Sequence, residues 1–499
     1  MKVAVVGLDG ACMDLIMEWA KDGKLPTFGE LMEDGCYGRL ESTIPTVTIP
    51  AWNCMTTGMN PGKIGCFSFI QKEYGTYNFK IYSSLVEKEV DIWDILNIYG
   101  KKIFLFNLPN IQMAYRINGY MVAGFLCMRD EYFTYPKDLK DKLDKLGFER
   151  DITDLGILGA MGDKEHSRRH EEITQSQCKV LENLIRDDEW DFIFLVLNEL
   201  DRIQHRFWHK RNVVLSHYKN IDRNVKMLID RILELDDYNI FIVSDHGFGP
   251  NKKVFHINEW LLRKELLTVE REDISLGIVR RIITTLKKPW LVKLVRPFLS
   301  TALLRRIYQK ALNQTAKVPV IWEKTKAFSY GSFGHIYINL KGREPNGTVD
   351  PDEYERLRDF IIEELRKMSV KAYRSEELYS GKYMKVAPDI VIQTDEFVST
   401  VSGRVCVDIF VDGFGGAHDR LNGTFIACGP DIKNVGRIDA HIYDITPTIL
   451  YMFDVPVPRD TDGRVIREIL KNGKSIKYAD YTTINIRHKI KKLRELKRI

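Results

Sequence analysis

Asp201 and His205 stand four residues apart in the run DRIQH, so on a helix they share one face and could hold a single cation. A second acid–imidazole pair, Asp245 and His246 in SDHGFG, is adjacent. Neighbours in a regular strand point to opposite faces, so both reach one ion only where a turn follows, and the glycines of this run provide one. His418 lies in the glycine-rich stretch GGAHDRLNGTFIACGP, where little packing competes for its ring and Asp419 is placed to orient it. Asp9 follows the apolar run VAVVGL. The segment PTVTIPAW adds a hydroxyl: Thr48 falls at or near the start of a helix, where N–H donors and the helix dipole favour an attached phosphoryl group. On local chemistry Thr46 competes with it. Taken singly, each motif has an ordinary reading. An Asp–His pair at this spacing is more often plain helix surface, and a threonine before a helix is most often an N-cap.

Together the set is three aspartates, three histidines and one hydroxyl. Hard oxygens and imidazole nitrogens without thiolates suit two divalent ions, Zn²⁺ first and Mn²⁺ second. Such a pair clamps the attacking and leaving oxygens of an in-line displacement, with a threonine as nucleophile and a phospho-threonine intermediate opened by water.

The runs that carry these residues are strand-like. VAVVGLD, KIFLFNLP, DFIFLVLNEL and NIFIVSDHG read as strands buried on both faces, and Asp14–Ala20, Asp91–Tyr99 and Glu165–Arg186 carry helical periodicity between them. This alternation predicts an α/β fold with a central, mostly parallel sheet flanked by helices. Asp9, Asp201 and Asp245 each fall just past the carboxyl end of a strand, the edge where open α/β sheets bind ligands. From about Pro250 the character changes. We read 251–385 as an inserted cap that includes the amphipathic helix Asp352–Met368. KVAPDIVIQTD then returns the chain to a core made of 1–250 and 386–470, and 471–499 forms a basic tail.

A chain of 499 residues can bury one large core or two ordinary ones, and 44% hydrophobic with 29% charged residues is a soluble globular balance. The opening MKVAVVGLDG reads as a buried strand and not a signal peptide, because Asp9 interrupts the apolar run too early. No apolar stretch reaches membrane-spanning length. The eight cysteines lack CxxC spacing, which argues against a disulfide framework or a thiolate zinc site and leads us to expect a cytoplasmic protein. The net charge of +5 is small, and no specific nucleic-acid binding is expected. One region stands out: residues 275–310 hold nine Lys/Arg and no acid, interleaved with apolar residues such as Trp290 and Phe298. Peripheral contact with an anionic membrane, or a grip on a large anionic substrate, suits that composition; so does a plain solvated face. Arg487–Ile499 is a short basic helix candidate.

GLDG with Asp9, PTVTIP with Thr48 followed by TTGMNPGKIG, DRIQH, SDHGFG and GGAHDRLNGTFIACGP occur in this order from Val3 to Pro430. In that order they resemble the alkaline-phosphatase superfamily, and within it the type I phosphodiesterase/nucleotide pyrophosphatase family. DAHIYDITPTILYMFDVPVP resembles that family's closing helix-and-strand segment. The resemblance implies an alkaline-phosphatase-like sandwich, with one ion held by Asp201, His205 and His418 and a second by Asp9, Asp245 and His246. It implies Thr48, not Thr46, as nucleophile, and a small phosphorylated substrate such as a nucleotide or nucleotide-sugar. Two positions depart from the family: Ala51 stands where diesterase members tend to have Asn, and Ile64 where His is frequent. Asn53, which could compensate, and Lys63 nearby are the candidate substrate contacts. Trp322 to Gly347 resembles a microbial phosphohydrolase-or-phosphomutase branch, so a phosphomonoesterase or mutase is the runner-up. Sulfatases use a Cys- or Ser-derived formylglycine, which Thr48 disfavours, and retention of all seven site residues disfavours a non-enzymatic binding module.

Overall fold

Val3–Leu8, Ile103–Leu108, Phe192–Leu197 and Asn239–Val243 are built largely from apolar and β-branched residues, and every residue in them is buried. Strands of that kind need cover on both faces, which a parallel sheet between two helical layers supplies. In the computed structural model, which describes residues 1–82, 89–127, 129–151, 161–270, 319–406 and 408–481, they form the middle of a ten-stranded sheet. Its order runs Gly436–Arg437, Cys36–Glu41, Asn422–Cys428, Asn239–Val243, Val3–Leu8, Phe192–Leu197, Ile103–Leu108, Gly119–Ala123, Thr134–Tyr135, with Ala440–His441 also pairing Cys36–Glu41. From Asn239–Val243 across to Gly119–Ala123 the pairings are parallel, whereas Asn422–Cys428 is antiparallel to both its neighbours. Helices Met13–Lys21, Pro26–Asp34, Asp163–Ile185 and Arg211–Leu233 pack together as one group, and Thr48–Thr57, Ile92–Ile98 and Ile445–Met452 as another.

Gly7 explains how one of these helices gets so close. A Cβ at Gly7 would lie 2.5 Å from Trp52 and 2.8 Å from Val196, so the bare backbone is what admits the Trp52 indole against the sheet. Trp52 belongs to helix Thr48–Thr57, which is buried at every position. Gly7→Ala is therefore expected to cost about 1–3 kcal/mol of stability through overpacking, and to lower turnover by displacing the helix that begins at Thr48. An unchanged urea midpoint would show that Trp52 yields freely.

A second, smaller core gathers Phe255, Trp260, Ile336, Ile361, Ile390 and Val401. It is formed around a four-stranded antiparallel sheet, ordered Ala327–Ser329, His335–Ile338, Ile390–Gln393, Lys371–Arg374, and a three-stranded one, Thr400–Ser402, Lys253–His256, Phe410–Asp412. Helix Tyr354–Lys367 buries Ile361, Ile362 and Leu365 here. The expected return to the main core at 386 is thus too early. DIVIQ is apolar enough for either sheet, but Ile390–Gln393 pairs inside the inserted unit, and the chain rejoins the central sheet only at Asn422. Two contacts tie the units together: Lys72 pairs with Glu344 at 2.9 Å in a buried ion pair, and the half-buried Tyr77 stacks on Trp322.

The tail is not wholly peripheral either, since Tyr478–Ala479 pairs with Val457–Pro458 and Tyr481 is buried. The basic stretch 275–310 and the helix candidate Arg487–Ile499 lie outside the described residues. Among the described residues no helix is long and apolar enough to cross a membrane. All eight cysteines are free thiols.

Candidate metal centre

The parallel strands deliver their carboxyl ends to one edge. Val3–Leu8 leads to Asp9, Phe192–Leu197 to the helix Glu199–Phe207 that carries Asp201 and His205, and Asn239–Val243 to Asp245 and His246. His418 arrives from the other direction. It follows the two-residue strand Gly416–Ala417, which pairs with Gly249–Pro250 and pins the His418 loop beside the SDHGFG turn.

The seven residues meet. His418 Nε2 lies 2.8 Å from Asp201 Oδ1 and 3.0 Å from His205 Nε2, and His205 Nε2 is 3.4 Å from the same Asp201 oxygen. His246 Nε2 is 3.2 Å from Asp245 Oδ2 and 3.7 Å from Asp9 Oδ1. The His246 and His418 rings stack at 3.8 Å, so the two groups adjoin. Ligand atoms of Asp201, His205 and His418 cluster tightly enough for one ion, as do those of Asp9, Asp201 and His246. Asp201 therefore stands between the groups. Asp245 is set slightly aside, its Oδ1 accepting the Gly10 backbone N–H at 3.1 Å.

The imidazoles are all turned the same way. Nδ1 of His205, His246 and His418 faces a backbone carbonyl, that of Gly416, Gly247 and Thr46 respectively, at 3.3, 3.1 and 3.3 Å. A carbonyl only accepts, so each Nδ1 carries the proton and each Nε2 presents its lone pair to the centre, the tautomer a metal requires. Phe248 backs the rings of His205 and His418 edge-on.

The carboxylates fit a cation better than they fit one another. Asp9 Oδ1 and Asp245 Oδ2 are buried without a hydrogen-bond partner, a costly state for a carboxylate that nothing neutralises. Burial, and then the Asp245 and Asp201 charges, push the Asp9 carboxyl well above its usual range; burial pushes Asp245 up to about 7. Burial drives His246 and His418 down to about 4, keeping both neutral and able to ligate.

Thr48 is the first residue of its helix, preceded by Val47 at the N-cap with no side-chain cap. Its hydroxyl thus has no capping duty, and it sits 3.4 Å from His246 Nε2. Thr46 is committed elsewhere, its hydroxyl donating to the His418 carbonyl. A cavity of about 630 Å³ opens beside Thr48, walled by Thr46, His205 and His418 from the main core and by Phe333, Thr394 and Thr400 from the inserted unit.

The family model for type I phosphodiesterase / nucleotide pyrophosphatase matches residues 3–408. The chain belongs to this family. It is accordingly a phosphoester hydrolase of the alkaline-phosphatase superfamily, whose members work with two divalent metal ions. Among solved structures, it is similar to human ectonucleotide pyrophosphatase / phosphodiesterase 5, at 14% identity and a TM-score of 0.55 over 95% of this chain and 100% of that one. An inactive murine counterpart in complex with AMP aligns at 13% identity and 0.55, covering 94% and 100%. Phosphonoacetate hydrolase from Sinorhizobium meliloti, in complex with phosphonoformate, aligns at 15% and 0.55, covering 89% and 94%. At these identities the likeness is one of fold, the alkaline-phosphatase-like α/β architecture. Comparison with curated proteins by sequence finds no significant match.

Not every residue singled out in this family member reaches the cavity. Asn53 is fully buried, its amide donating to the Ile49 carbonyl at 2.7 Å, and Lys63 is paired with Asp462 at 2.5 Å and with the Asp460 carbonyl at 2.7 Å. Neither lines the cavity. Asp419 does not orient His418 either, since the Nδ1–H donates to the Thr46 backbone carbonyl. Conversely, Arg202, Phe69, Phe125 and Phe333 do line it. Arg202 was visible inside DRIQH as a basic residue next to a ligand candidate; the three phenylalanines carried no sequence mark.

Proposed function

We propose that this enzyme is a phosphodiesterase or pyrophosphatase that acts on a nucleotide or nucleotide-sugar through a phospho-threonine formed at Thr48. The observation that carries the reading is the Thr48 hydroxyl, free of capping duty and 3.4 Å from His246 Nε2 at the wall of the cavity. Asp201, His205 and His418 would hold one divalent ion and Asp9, Asp245 and His246 the other, with Zn²⁺ preferred and Mn²⁺ the alternative. When bound, the ions supply charge that favours ionisation of the threonine hydroxyl and stabilises the leaving oxygen.

The chain's own residues account for the rest. Helix Thr48–Thr57 aims its N-terminus, with its unpaired N–H groups and positive dipole end, at the phosphoryl group that Thr48 would carry. Thr48 Oγ forms the new bond to phosphorus, its proton passing to solvent, while the bond to the leaving oxygen breaks. Water then opens the Oγ–phosphorus bond, returning the hydroxyl and releasing the phosphate product. The backbone carbonyls on His205, His246 and His418 keep all three Nε2 lone pairs on the site throughout.

Purified enzyme should carry about two divalent ions per chain. Supplied with Zn²⁺ or Mn²⁺, it should hydrolyse bis-p-nitrophenyl phosphate and nucleotide-sugars faster than p-nitrophenyl phosphate. A dominant monoester rate would overturn the diesterase reading in favour of a monoesterase or mutase.

A further inference from the structure

Arg202 is the one lysine or arginine among the described residues lining the cavity beside Thr48. It is held there by more than chance. Its side chain is 22% exposed, Nη1 lies 3.1 Å from Asp201 Oδ2, and the guanidinium sits 4.9 Å from the centre of the Phe125 ring. Nε is buried with no hydrogen-bond partner. That closed edge does not border the cavity; the partly exposed remainder of the side chain does. Asp201 already serves His418 and His205 through Oδ1, so it cannot satisfy the five donors of a guanidinium. What remains is a fixed, permanently charged guanidinium on a cavity wall that carries no other lysine or arginine among the described residues. That geometry suits two oxygens of one phosphoryl group.

We propose that Arg202 binds the non-bridging oxygens of the substrate's phosphoryl group and tunes the site toward the more highly charged esters. This rests on the phosphoryl-transfer reading above. A monoester or terminal phosphate carries about twice the charge of a diester on those oxygens, so it gains more from a cation held at a fixed position. Arg202 is then the residue that decides how well the same metal site tolerates monoesters. Phe125 helps keep in place the guanidinium, which lies over its ring.

The test compares wild type, Arg202→Met and Arg202→Lys as full chains loaded with Zn²⁺ or Mn²⁺. Bound metal is counted by elemental analysis, inorganic phosphate affinity is measured by titration calorimetry, and kcat/KM is taken on p-nitrophenyl phosphate and its bis-ester. Metal content should stay at the wild-type level. Phosphate affinity should fall about 10²-fold in Arg202→Met and about tenfold in Arg202→Lys, which keeps the charge but loses the fork. Monoester kcat/KM should fall at least about tenfold further than diester kcat/KM in Arg202→Met. Should that variant fail to fold, the Lys variant's phosphate affinity decides. Unchanged phosphate affinity, equal losses on both esters, or loss of metal alongside phosphate would overturn the proposal, the last by showing that Arg202 merely props Asp201. A wild-type enzyme that hydrolyses neither ester would sink the functional reading instead, while phosphate titration would still judge Arg202.

Discussion

Thr48→Ala is expected to lose hydrolytic turnover by about four orders of magnitude or more, while keeping its fold and its affinity for metal. The size follows from the role. A residue that forms the covalent intermediate has no substitute in the site, and Thr46, the nearest competing hydroxyl, is tied to the His418 carbonyl. The stability cost should be small, since the Thr48 hydroxyl caps nothing and its contact with His246 is a long 3.4 Å. Steady-state hydrolysis of bis-p-nitrophenyl phosphate with a thermal melt on the same samples checks both halves. Activity within tenfold of wild type would remove Thr48 as nucleophile. A large drop in melting temperature would recast it as a packing residue.

The second large effect is a reversal. Without metal, Asp9→Asn should be more stable than wild type by about 1–3 kcal/mol, because it removes an unpaired buried carboxylate from beside Asp245 and Asp201. With Zn²⁺ at a thousand times its dissociation constant, wild type should gain about 4 kcal/mol while the variant, lacking a ligand, gains far less, so the order of stabilities inverts. Denaturant titrations with chelator and with Zn²⁺ measure it. If the metal-free variant proves less stable than metal-free wild type, the carboxylate crowding is not the strain we take it to be.

The fold was largely legible because strands buried on both faces are written as near-continuous apolar runs, and a charged residue straight after such a run marks the sheet edge. Asp9 and Asp245 were readable in that way. Asn53 misled because nearness in sequence to Thr48 is not nearness in space. Five residues along a helix turn a side chain well away from the first one, and Asn53 faces the interior, where it bonds Ile49. Lys63 is claimed by Asp462, a partner 399 residues away that no local pattern announces. Arg202 was passed over for a related reason. One step along a helix from Asp201 points about 100° aside, and only the loop bearing Phe125 makes that direction part of the cavity. The misplaced return at 386 has a different origin: periodicity says that Ile390–Gln393 is a buried strand, but not which sheet it joins.

The central sheet also sets a schedule. Asn422–Cys428 fills a slot between Cys36–Glu41 and Asn239–Val243, although it is made long after both. A chain emerging from the ribosome can hold six of the seven site residues, Asp9 through His246, and still lack both the strand that closes the sheet and His418 just ahead of it. When that segment arrives, one docking event seals two open strand edges and latches His418 to Thr46 through reciprocal bonds, hydroxyl to carbonyl and ring nitrogen to carbonyl. Closing contacts of such sequence separation come late in folding. On that order the seven site residues come together only when the segment bearing His418 has docked.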